Sequence, residues 1–283
     1  MHRFPRFLLG LLAKLPLRAL HAVGTVLGWL VYGISPTYLR HLRENLAQAG
    51  LDDAQTRREA IAASGQMIAE LPVLWFRPQH EVAALVKQVG GAADEALAAA
   101  AARRPVLFLA PHMGAFEVTA QYAAQHTPIT VLYRPPKIAW LEPAMREGRA
   151  RGAVRLAPAD VSGVRELFAA LKRGEAAGFL PDQVPGEGEG EWADFFGRAA
   201  YTMTLAAKLM ERSGIEAFFA YARRLPRGAG YEIIVRRVPD KIAGESATRR
   251  LNRGIEALVG ECPGQYLWGY NRYKAPRGAK PRA

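Results

Sequence analysis

Apolar positions in this chain occur in two patterns, short continuous runs and helical spacings, and the two alternate over most of its length. Short apolar runs are typical of buried strands, and the 3.6-residue spacing is typical of amphipathic helices. Strands are predicted at residues 106–110, 129–133, 154–156, 177–180, 217–222 and 231–238. Helices are predicted at residues 38–49, 53–75, 94–103, 116–124, 138–151, 161–173, 202–213 and 246–261. This alternation predicts an α/β fold with a mixed, mostly parallel sheet flanked by helices, in which the last two strands form an antiparallel hairpin.

The N-terminal segment has a different pattern. Residues 7–34 are nearly all apolar, and the cleanest stretch, residues 19–34, is short beside the ~20 residues that a membrane-spanning helix needs. Arg40 and Arg43 follow it, which favours the cytoplasmic side for the rest of the chain. We therefore expect residues 1–36 to be a membrane anchor that spans the bilayer or lies in its interface, and residues 37–283 to be a single α/β domain. A buried core helix is the alternative.

The formal net charge of +12 is concentrated at the two ends of the chain. Residues 223–283 hold 14 Lys and Arg against 5 Asp and Glu, and the first fifty residues hold 6 against 1. Such a field favours anionic partners, among them phosphates, an anionic membrane or an acidic carrier protein. The sequence offers no nucleic-acid motif, so nucleic acid is not an expected partner, although a non-enzymatic basic protein that binds membranes or nucleic acid remains an alternative to an enzyme.

Candidate chemistry begins where the predicted strand 106–110 ends. His112 follows Pro111, and Glu117 opens the next helix. A turn at Gly114 can bring the two side chains together, and a histidine held by a carboxylate is a general base for a hydroxyl group. The carboxyl ends of strands in open α/β sheets are also where ligands bind. A pair with this spacing also arises by chance, with both residues structural.

Other candidate residues lie at the ends of neighbouring strands. Arg134 follows the strand 129–133 and suits a phosphate or carboxylate, unless it is an ordinary surface arginine. Arg149, in the next helix, is a weaker candidate of the same kind. Asp182 and Gln183 follow the strand 177–180, where Asp182 pairs with an arginine such as Arg134 or caps a turn.

Two aromatic residues, Phe195 and Phe196, precede Gly197 and line an apolar channel or anchor their loop in the core. Several catalytic patterns are absent, including a nucleophile elbow, a phosphate-binding loop and a zinc protease helix. The single cysteine, Cys262, excludes an internal disulfide and a cysteine-rich metal cluster. With no activated serine or cysteine, the histidine–glutamate pair most economically activates a hydroxyl of the substrate itself.

Four blocks in order resemble the bacterial lipid A biosynthesis (lauroyl/myristoyl) acyltransferase family, which is related to the lysophospholipid and glycerolipid acyltransferases. The blocks are His112-x4-Glu117, Leu132-Tyr133-Arg134-Pro135, Pro181-Asp182-Gln183 with Phe195-Phe196-Gly197 and Ala200-x-Thr202, and the closing run 265–274. The resemblance runs from the N-terminal apolar segment almost to the end of the chain. It implies the fold of the glycerolipid acyltransferases, and it implies an inner-membrane enzyme with its catalytic domain in the cytoplasm.

The reaction that the resemblance implies moves a fatty acyl group from an acyl carrier protein or CoA thioester to a hydroxyl of a lipid A precursor, in lipopolysaccharide biosynthesis. His112 would deprotonate the hydroxyl, Glu117 would orient the imidazole ring, and backbone N–H groups near Gly114 would stabilise the oxyanion. No metal or redox cofactor is implied. The residues expected to bind substrate are Arg134, Arg149, Asp182, Gln183, Phe196, Gly197 and Arg272.

The closing block departs from the family pattern. Tyr270 and Asn271 stand where the family usually has histidine and arginine, whereas Arg272 and Lys274 match it. This difference concerns the acceptor more than the reaction. An acyltransferase acting on another lipid, such as a lysophospholipid, an amino-acid lipid or a phosphatidylinositol mannoside, is therefore the alternative.

Overall fold

A computed structural model describes residues 3–136 and 138–279. Residues 1–2 of the expected anchor, and Lys137 and residues 280–283 of the expected domain, lie outside the described residues. The strands are β1 (Val86–Gly91), β2 (Val106–Leu109), β3 (Ile129–Tyr133), β4 (Val154–Pro158), β5 (Ala176–Phe179), β6 (Gly190–Phe195), β7 (Arg198–Met203), β8 (Glu216–Arg224) and β9 (Tyr231–Arg237).

The helices surround these strands. They are α1 (Arg3–Leu12), α2 (Leu17–Ile34), α3 (Pro36–Gln48), α4 (Ala54–Ala69), α5 (Leu71–Phe76), α6 (Gln79–Ala83), α7 (Ala93–Ala101), α8 (Phe116–Ala123), α9 (Glu142–Arg149), α10 (Val161–Lys172), α11 (Thr204–Met210) and α12 (Ala247–Glu261). Short 3-10 turns lie at Ala139–Leu141, Pro226–Gly228 and Pro263–Gln265.

Seven strands form the main sheet, in the order β1-β9-β8-β2-β5-β3-β4. The five strands from β8 to β4 are parallel to their neighbours, β9 is antiparallel to β8, and β1 is parallel to β9. The predicted fold class, a mixed and mostly parallel sheet flanked by helices, is therefore confirmed, as is the hairpin of the last two strands. The carboxyl ends of β2, β3 and β5 lie at one edge of the sheet.

The central strands are covered on both faces, which explains their continuous apolar sequences. In β2, Leu107 and Leu109 pack into a core with α3, α4, α11 and α12, while Val106 and Phe108 pack into a second core with α5, α7 and α8. Neighbouring residues of a strand point to opposite faces of the sheet, so one short apolar run supplies both layers.

Strands β1, β6 and β7 and the short helix α6 were not predicted. The edge strand β1 is largely exposed and has the mixed sequence Val-Lys-Gln-Val-Gly-Gly, which carries no apolar run. Strands β6 and β7 pair as a separate antiparallel hairpin, part of which was expected to be a loop. Its turn is Phe196-Gly197, where both residues have positive φ values of 48° and 73°.

The single helix predicted at residues 53–75 is two helices. Helix α4 begins at an Asp53 cap and ends at Glu70, and α5 follows with Pro72 in its first turn. A proline at that position lacks the backbone N–H that would continue the preceding helix. The break leaves the Glu70 side chain inside the domain, where it is 1% exposed.

Helix α2 is the one helix of the described chain that is long and apolar enough to cross a membrane. It has 18 residues and a mean hydropathy of 1.3. Only 28% of it is buried within the domain, and its exposed residues include Val26, Leu30 and Ile34. The structure therefore shows an N-terminal apolar helix that suits membrane attachment.

Candidate active site

His112 is paired with Asp182 across two neighbouring strands. Leu109 of β2 and Phe179 of β5 are partners in the sheet, and each of the two site residues lies three positions beyond its strand partner. The His112 Nδ1 atom is 2.8 Å from Asp182 Oδ1, and the His112 backbone N–H donates to Asp182 Oδ2 at 2.9 Å. One carboxylate thus fixes both the ring and the backbone of the histidine.

The predicted contact between His112 and Glu117 is wrong. Glu117 instead accepts hydrogen bonds from Arg149 of α9, whose Nε lies 2.9 and 3.0 Å from its two carboxylate oxygens. The ion pair is largely buried, with side-chain exposures of 7% for Glu117 and 22% for Arg149. A carboxylate in such a forked pair has its acceptor positions directed at the guanidinium, and the His112 ring nitrogens have other partners, Asp182 and Gln183. The same contact occupies the Arg149 guanidinium.

The second ring nitrogen of His112 has a different neighbour, the side chain of Gln183. Its Nε2 atom lies 3.2 Å from the Gln183 side-chain nitrogen, which can donate to it. With Nδ1–H donating to Asp182, Nε2 carries the lone pair, and this is the tautomer that a general base requires. The ring also packs against Phe116, with 4.9 Å between ring centroids.

Asp182 lies at the base of the site, where its side chain is 3% exposed. Burial alone would raise the pKa of this carboxyl, but the charge of His112 and hydrogen bonds from its ring and backbone outweigh burial and lower the pKa. Tyr266 also hydrogen-bonds Asp182, and burial raises the pKa of that phenol well above its ordinary value. Asp182 is thus held as an anion beside a neutral phenol.

The loop between His112 and α8 is fixed against β8. Gly114 has a φ of 56°, and a Cβ at this position would lie 2.0 Å from the Ala222 carbonyl oxygen. Its N–H donates to the Gln265 carbonyl at 2.9 Å, and the Ala115 N–H donates to Ala222 at 2.7 Å. The expected role of the Gly114 N–H as an oxyanion donor does not agree with this geometry, because its hydrogen is already used.

A buried ionic cluster supports the same loop from behind. Arg224 of β8 donates to the Gly114 carbonyl at 2.8 Å and to both carboxylate oxygens of Glu70. Glu70 also contacts His21 of α2, at 2.9 Å from Nε2, and accepts from the Tyr231 hydroxyl at 3.1 Å. No pattern in the sequence indicated this cluster, since its members come from three distant segments: His21, Glu70, and the hairpin that holds Arg224 and Tyr231.

An apolar cavity lies next to the site, and its wall includes Phe116, on which the His112 ring packs, but not His112 itself. It encloses about 980 Å³ of empty space, counting its opening to solvent, and Phe116, Glu117 and Arg149 lie in its wall. The wall continues across the sheet through residues of β9, β8, β2, β5, β3 and β4 and is closed by Ala93, Ala96 and Leu97 of α7. Adjacent strands are ~4.8 Å apart, so a cavity that crosses six strands extends over roughly 24 Å. This length suits a linear hydrocarbon chain.

Arg134 and the Phe196–Gly197 turn occupy different places in the structure. Arg134 is exposed at the end of β3, at the same edge of the sheet as His112. Phe196 packs against Phe195 and Trp268, with ring centroids 4.8 and 6.0 Å away, at the turn of the β6–β7 hairpin. Neither Phe196 nor Gly197 is among the residues that line the cavity.

Arg272 is buried, with 2% of its surface exposed. Its guanidinium donates to the Tyr201 carbonyl at 2.8 Å, to Thr202 Oγ1 at 2.8 Å and to Asn252 Oδ1 at 3.2 Å. The interpretation of Arg272 as a substrate-binding residue does not agree with this position, because a guanidinium with these partners is closed to a lipid phosphate.

Comparison with known proteins identifies the family of the chain. The profile of the family described as bacterial lipid A biosynthesis acyltransferase matches residues 5–275. The chain is 25% identical to the lipid A biosynthesis lauroyltransferase of Escherichia coli (strain K12), with 97% of this chain and 92% of the relative covered. It is 26% identical to the lipid A biosynthesis palmitoleoyltransferase of the same organism, with 94% and 88% covered. The chain belongs to the bacterial lipid A biosynthesis acyltransferase family.

Proposed function

We propose that this acyltransferase moves a fatty acyl group from acyl carrier protein to a hydroxyl group of a lipid A precursor at the cytoplasmic face of the inner membrane. The observation that carries the proposal is the His112–Asp182 pair, whose histidine ring packs on Phe116 in the wall of an apolar cavity. The pair supplies a base, and the cavity supplies a place for the acyl chain.

The chemical step begins with the acceptor hydroxyl at His112 Nε2, in the position that Gln183 now contacts. The hydroxyl oxygen forms a bond to the thioester carbonyl carbon while Nε2 takes its proton. The Asp182 carboxylate stabilises the imidazolium that results and keeps the ring in place. The C–S bond then breaks, and the departing thiolate receives the proton from the imidazolium.

Negative charge on the carbonyl oxygen needs hydrogen-bond donors. Because the Gly114 N–H is already bonded, we assign this role to the first turn of α8, where the N–H groups of Phe116 and Glu117 make no hydrogen bond with the described residues. Free N–H groups at a helix start favour negative charge, and they lie directly after the catalytic loop.

Acyl carrier protein is proposed as the donor because the chain is strongly basic and the carrier is acidic. Residues 223–283 hold much of the excess positive charge. A CoA thioester is the alternative donor. The relatives are named for lauroyl, palmitoleoyl and myristoyl transfer, and which chain this protein prefers depends on the length of its own cavity.

A lipid A precursor is proposed as the acceptor from the family, and Arg134 is the exposed cation at the site that suits its phosphate. One observation supports the alternative of a different lipid acceptor. Tyr270, which replaces the usual histidine, accepts the N–H of Val184, the residue after Gln183, at 2.9 Å. A change this close to the catalytic histidine can alter the shape of the acceptor site.

Membrane attachment is part of the proposal. Residues 1–36 would hold the protein at the inner membrane, and the rest of the chain, which carries the site, would lie on the cytoplasmic side. The support is the apolar surface of α1 and α2, together with the positive charge of the first fifty residues.

The test is product analysis with purified protein. We expect mass spectrometry to detect one added acyl chain on a lipid A precursor when acyl carrier protein carries the donor, and much less product with lysophospholipid or phosphatidylinositol mannoside acceptors. A His112→Ala variant should be folded and lose about 10²–10⁴-fold in rate. The control is His80→Ala, at an exposed histidine, which should keep the wild-type rate. Undiminished transfer by folded His112→Ala contradicts the mechanism, and exclusive acylation of another lipid contradicts the acceptor.

A further inference from the structure

Helix α2 packs against the rest of the protein along one narrow face. Its buried residues recur every three or four positions, which places them in a single stripe. They are Leu17, Leu20, His21, Gly24 and Gly28. The stripe lies against α4, so α2 is part of the folded domain over most of its length.

The contact between α2 and α4 is backbone to backbone. A Cβ on Gly65 would lie 1.9 Å from the Gly24 carbonyl oxygen, and a Cβ on Gly28 would lie 2.2 Å from the Ile61 carbonyl oxygen. Gln66 also donates to Thr25 Oγ1 at 2.9 Å. Position 24 therefore meets 65 and position 28 meets 61, so the helices run antiparallel in close contact. Helices this close cannot separate without losing the packing that only glycine permits.

Polar contacts extend this attachment to both ends of the helix. Before α2, Arg77 donates to the Ala13 carbonyl at 2.6 Å. His21 is hydrogen-bonded to the buried Glu70. After α2, Ser35 caps the end of the helix and also begins α3, which carries the fully buried Leu42 and Leu46. Both ends of α2 thus lead into the same domain.

The opposite face of α2 is apolar and exposed. Its residues form a second stripe, and Val26 and Ile34 are 67% and 70% exposed. Helix α1 adds Phe7, Leu8 and Leu11 to the exposed apolar residues. Basic residues flank this surface at Lys14, Arg18, Arg40 and Arg43. An apolar helix face bordered by cations suits the interface of a bilayer that contains anionic lipids.

A membrane-spanning position conflicts with this packing. An 18-residue helix is ~27 Å long and would occupy nearly the whole ~30 Å of hydrocarbon. Helix α4 would then lie at the same depth, and its other face packs on the closing segment at Pro263–Gln265, where Gly264 meets Glu59. By this register Arg57 and Glu59 would lie level with residues 32 and 30 of α2, inside the hydrocarbon layer, where charged side chains are strongly disfavoured.

We infer that α2 is an in-plane anchor, which lies along the surface of an anionic bilayer with its apolar stripe in one leaflet and does not cross the membrane. This inference rests on the membrane attachment proposed above and specifies its geometry. It also gives α2 a second role, because His21 joins the anchor to Glu70 and, through Arg224, to the carbonyl of Gly114 beside the catalytic histidine.

The test is the sidedness of the two ends of α2. Single cysteines are introduced as Lys14→Cys and Thr37→Cys, both at exposed positions, in full-length protein with Cys262→Ala. Burial raises the pKa of the Cys262 thiol to about 11, which slows its reaction with thiol reagents. The Cys262→Ala substitution removes the remaining background labelling. Lys172→Cys, on an exposed position of α10, marks the side of the catalytic domain.

With a membrane-impermeant maleimide, we expect all three cysteines to react in inside-out vesicles and none to react in intact spheroplasts. Labelling of Lys14→Cys and Thr37→Cys from opposite sides would overturn the inference. The double variant Thr25→Cys and Gln66→Cys, treated with a short thiol cross-linker in native membranes, provides a second measurement. Efficient cross-linking supports continued α2–α4 contact in the bilayer, and its absence counts against it.

Acyl transfer is assayed separately in the same membranes. If the two ends of α2 are labelled from opposite sides while acyl transfer persists, the in-plane anchor is wrong and the proposed function stands. If both are labelled from one side and the wild-type protein transfers no acyl group to any lipid, the proposed function is wrong instead.

Discussion

Glu70 connects helix α2 with the loop that carries His112. Its carboxylate is buried among His21, Arg224 and Tyr231, and Arg224 in turn holds the Gly114 carbonyl. Burial alone would raise the pKa of Glu70, but the charge of Arg224 and hydrogen bonds from His21 and Arg224 lower it below its ordinary 4.5. The folded protein therefore favours the ionised carboxylate.

We predict that Glu70→Gln lowers the free energy of unfolding by about 3–5 kcal/mol at pH 7, because it leaves the buried Arg224 without a counter-charge. A folded-state pKa below the unfolded value means that the stabilisation by Glu70 is present above about pH 4.5 and is lost as the pH falls through the folded-state value. Because Glu70→Gln has no titratable group at position 70, its free energy of unfolding should fall less than that of the wild-type protein over this pH range.

Urea denaturation at several pH values measures both effects. Glu95→Gln serves as a control, since Glu95 pairs with Arg237, whose side chain is 73% exposed. Glu95→Gln should lower the free energy of unfolding by no more than about 1 kcal/mol. Equal losses of stability in the two variants would contradict the importance given to the buried cluster.

At the same scale, the residues of the site were more predictable than their contacts. The sequence indicated His112, Glu117, Asp182 and Gln183 because each follows a predicted strand or opens a helix. It paired His112 with Glu117, which is near in sequence, whereas the structure pairs it with Asp182. Asp182 reaches His112 because β5 lies next to β2 in the sheet. The order of strands in a sheet cannot be read from the apolar pattern of each segment.

At the scale of the elements, the loop from His112 to α8 is the part that the chemistry depends on most. Its N–H and carbonyl groups are bonded to β8, to Gln265 and to Arg224, so the loop has one position relative to the sheet. Gly114 makes this possible because it combines a positive φ with a close approach to Ala222.

We predict that Gly114→Ala lowers kcat by about 100-fold, because the added Cβ would meet the Ala222 carbonyl and displace the loop, and small displacements of catalytic groups cost this much. Circular dichroism should show a folded protein. Gly50→Ala is the matched control, since Gly50 has a φ of 70° but open space around it. It should lose only about 1 kcal/mol of stability and keep its activity. Full activity in Gly114→Ala would mean that the loop position is unimportant.

Helix α7 closes the apolar cavity and should limit the length of the acyl chain. We predict that Ala96→Phe shifts the preference toward shorter donors, because each methylene that loses its buried position costs about 0.8 kcal/mol. Comparing kcat/KM for decanoyl, dodecanoyl and tetradecanoyl donors measures the shift. Ala98→Phe, on the exposed face of the same helix, should leave the preference unchanged. An unchanged preference in Ala96→Phe would show that acyl chains bind elsewhere.

At the scale of the whole molecule, the alternation of apolar runs and amphipathic segments predicted the fold class, and it located the six strands around the site. It did not identify β1 or the β6–β7 hairpin. Strand β1 is a half-exposed edge strand, and β6 follows a segment rich in glutamate and glycine, so neither contains a continuous apolar run. It also left the position of α2 open. That position depends on Gly24, Gly28 and Gly65 meeting in space, which no single segment reveals.

The central claim is that Asp182, and not Glu117, holds the catalytic histidine, and steady-state kinetics of Asp182→Asn test it most directly. An amide keeps the shape of the side chain but cannot stabilise an imidazolium, so we expect kcat for acyl transfer to fall by about 10²–10⁴-fold while KM for the acyl donor changes little. The His80→Ala variant provides the reference rate. A folded Asp182→Asn enzyme with wild-type kcat would contradict the account.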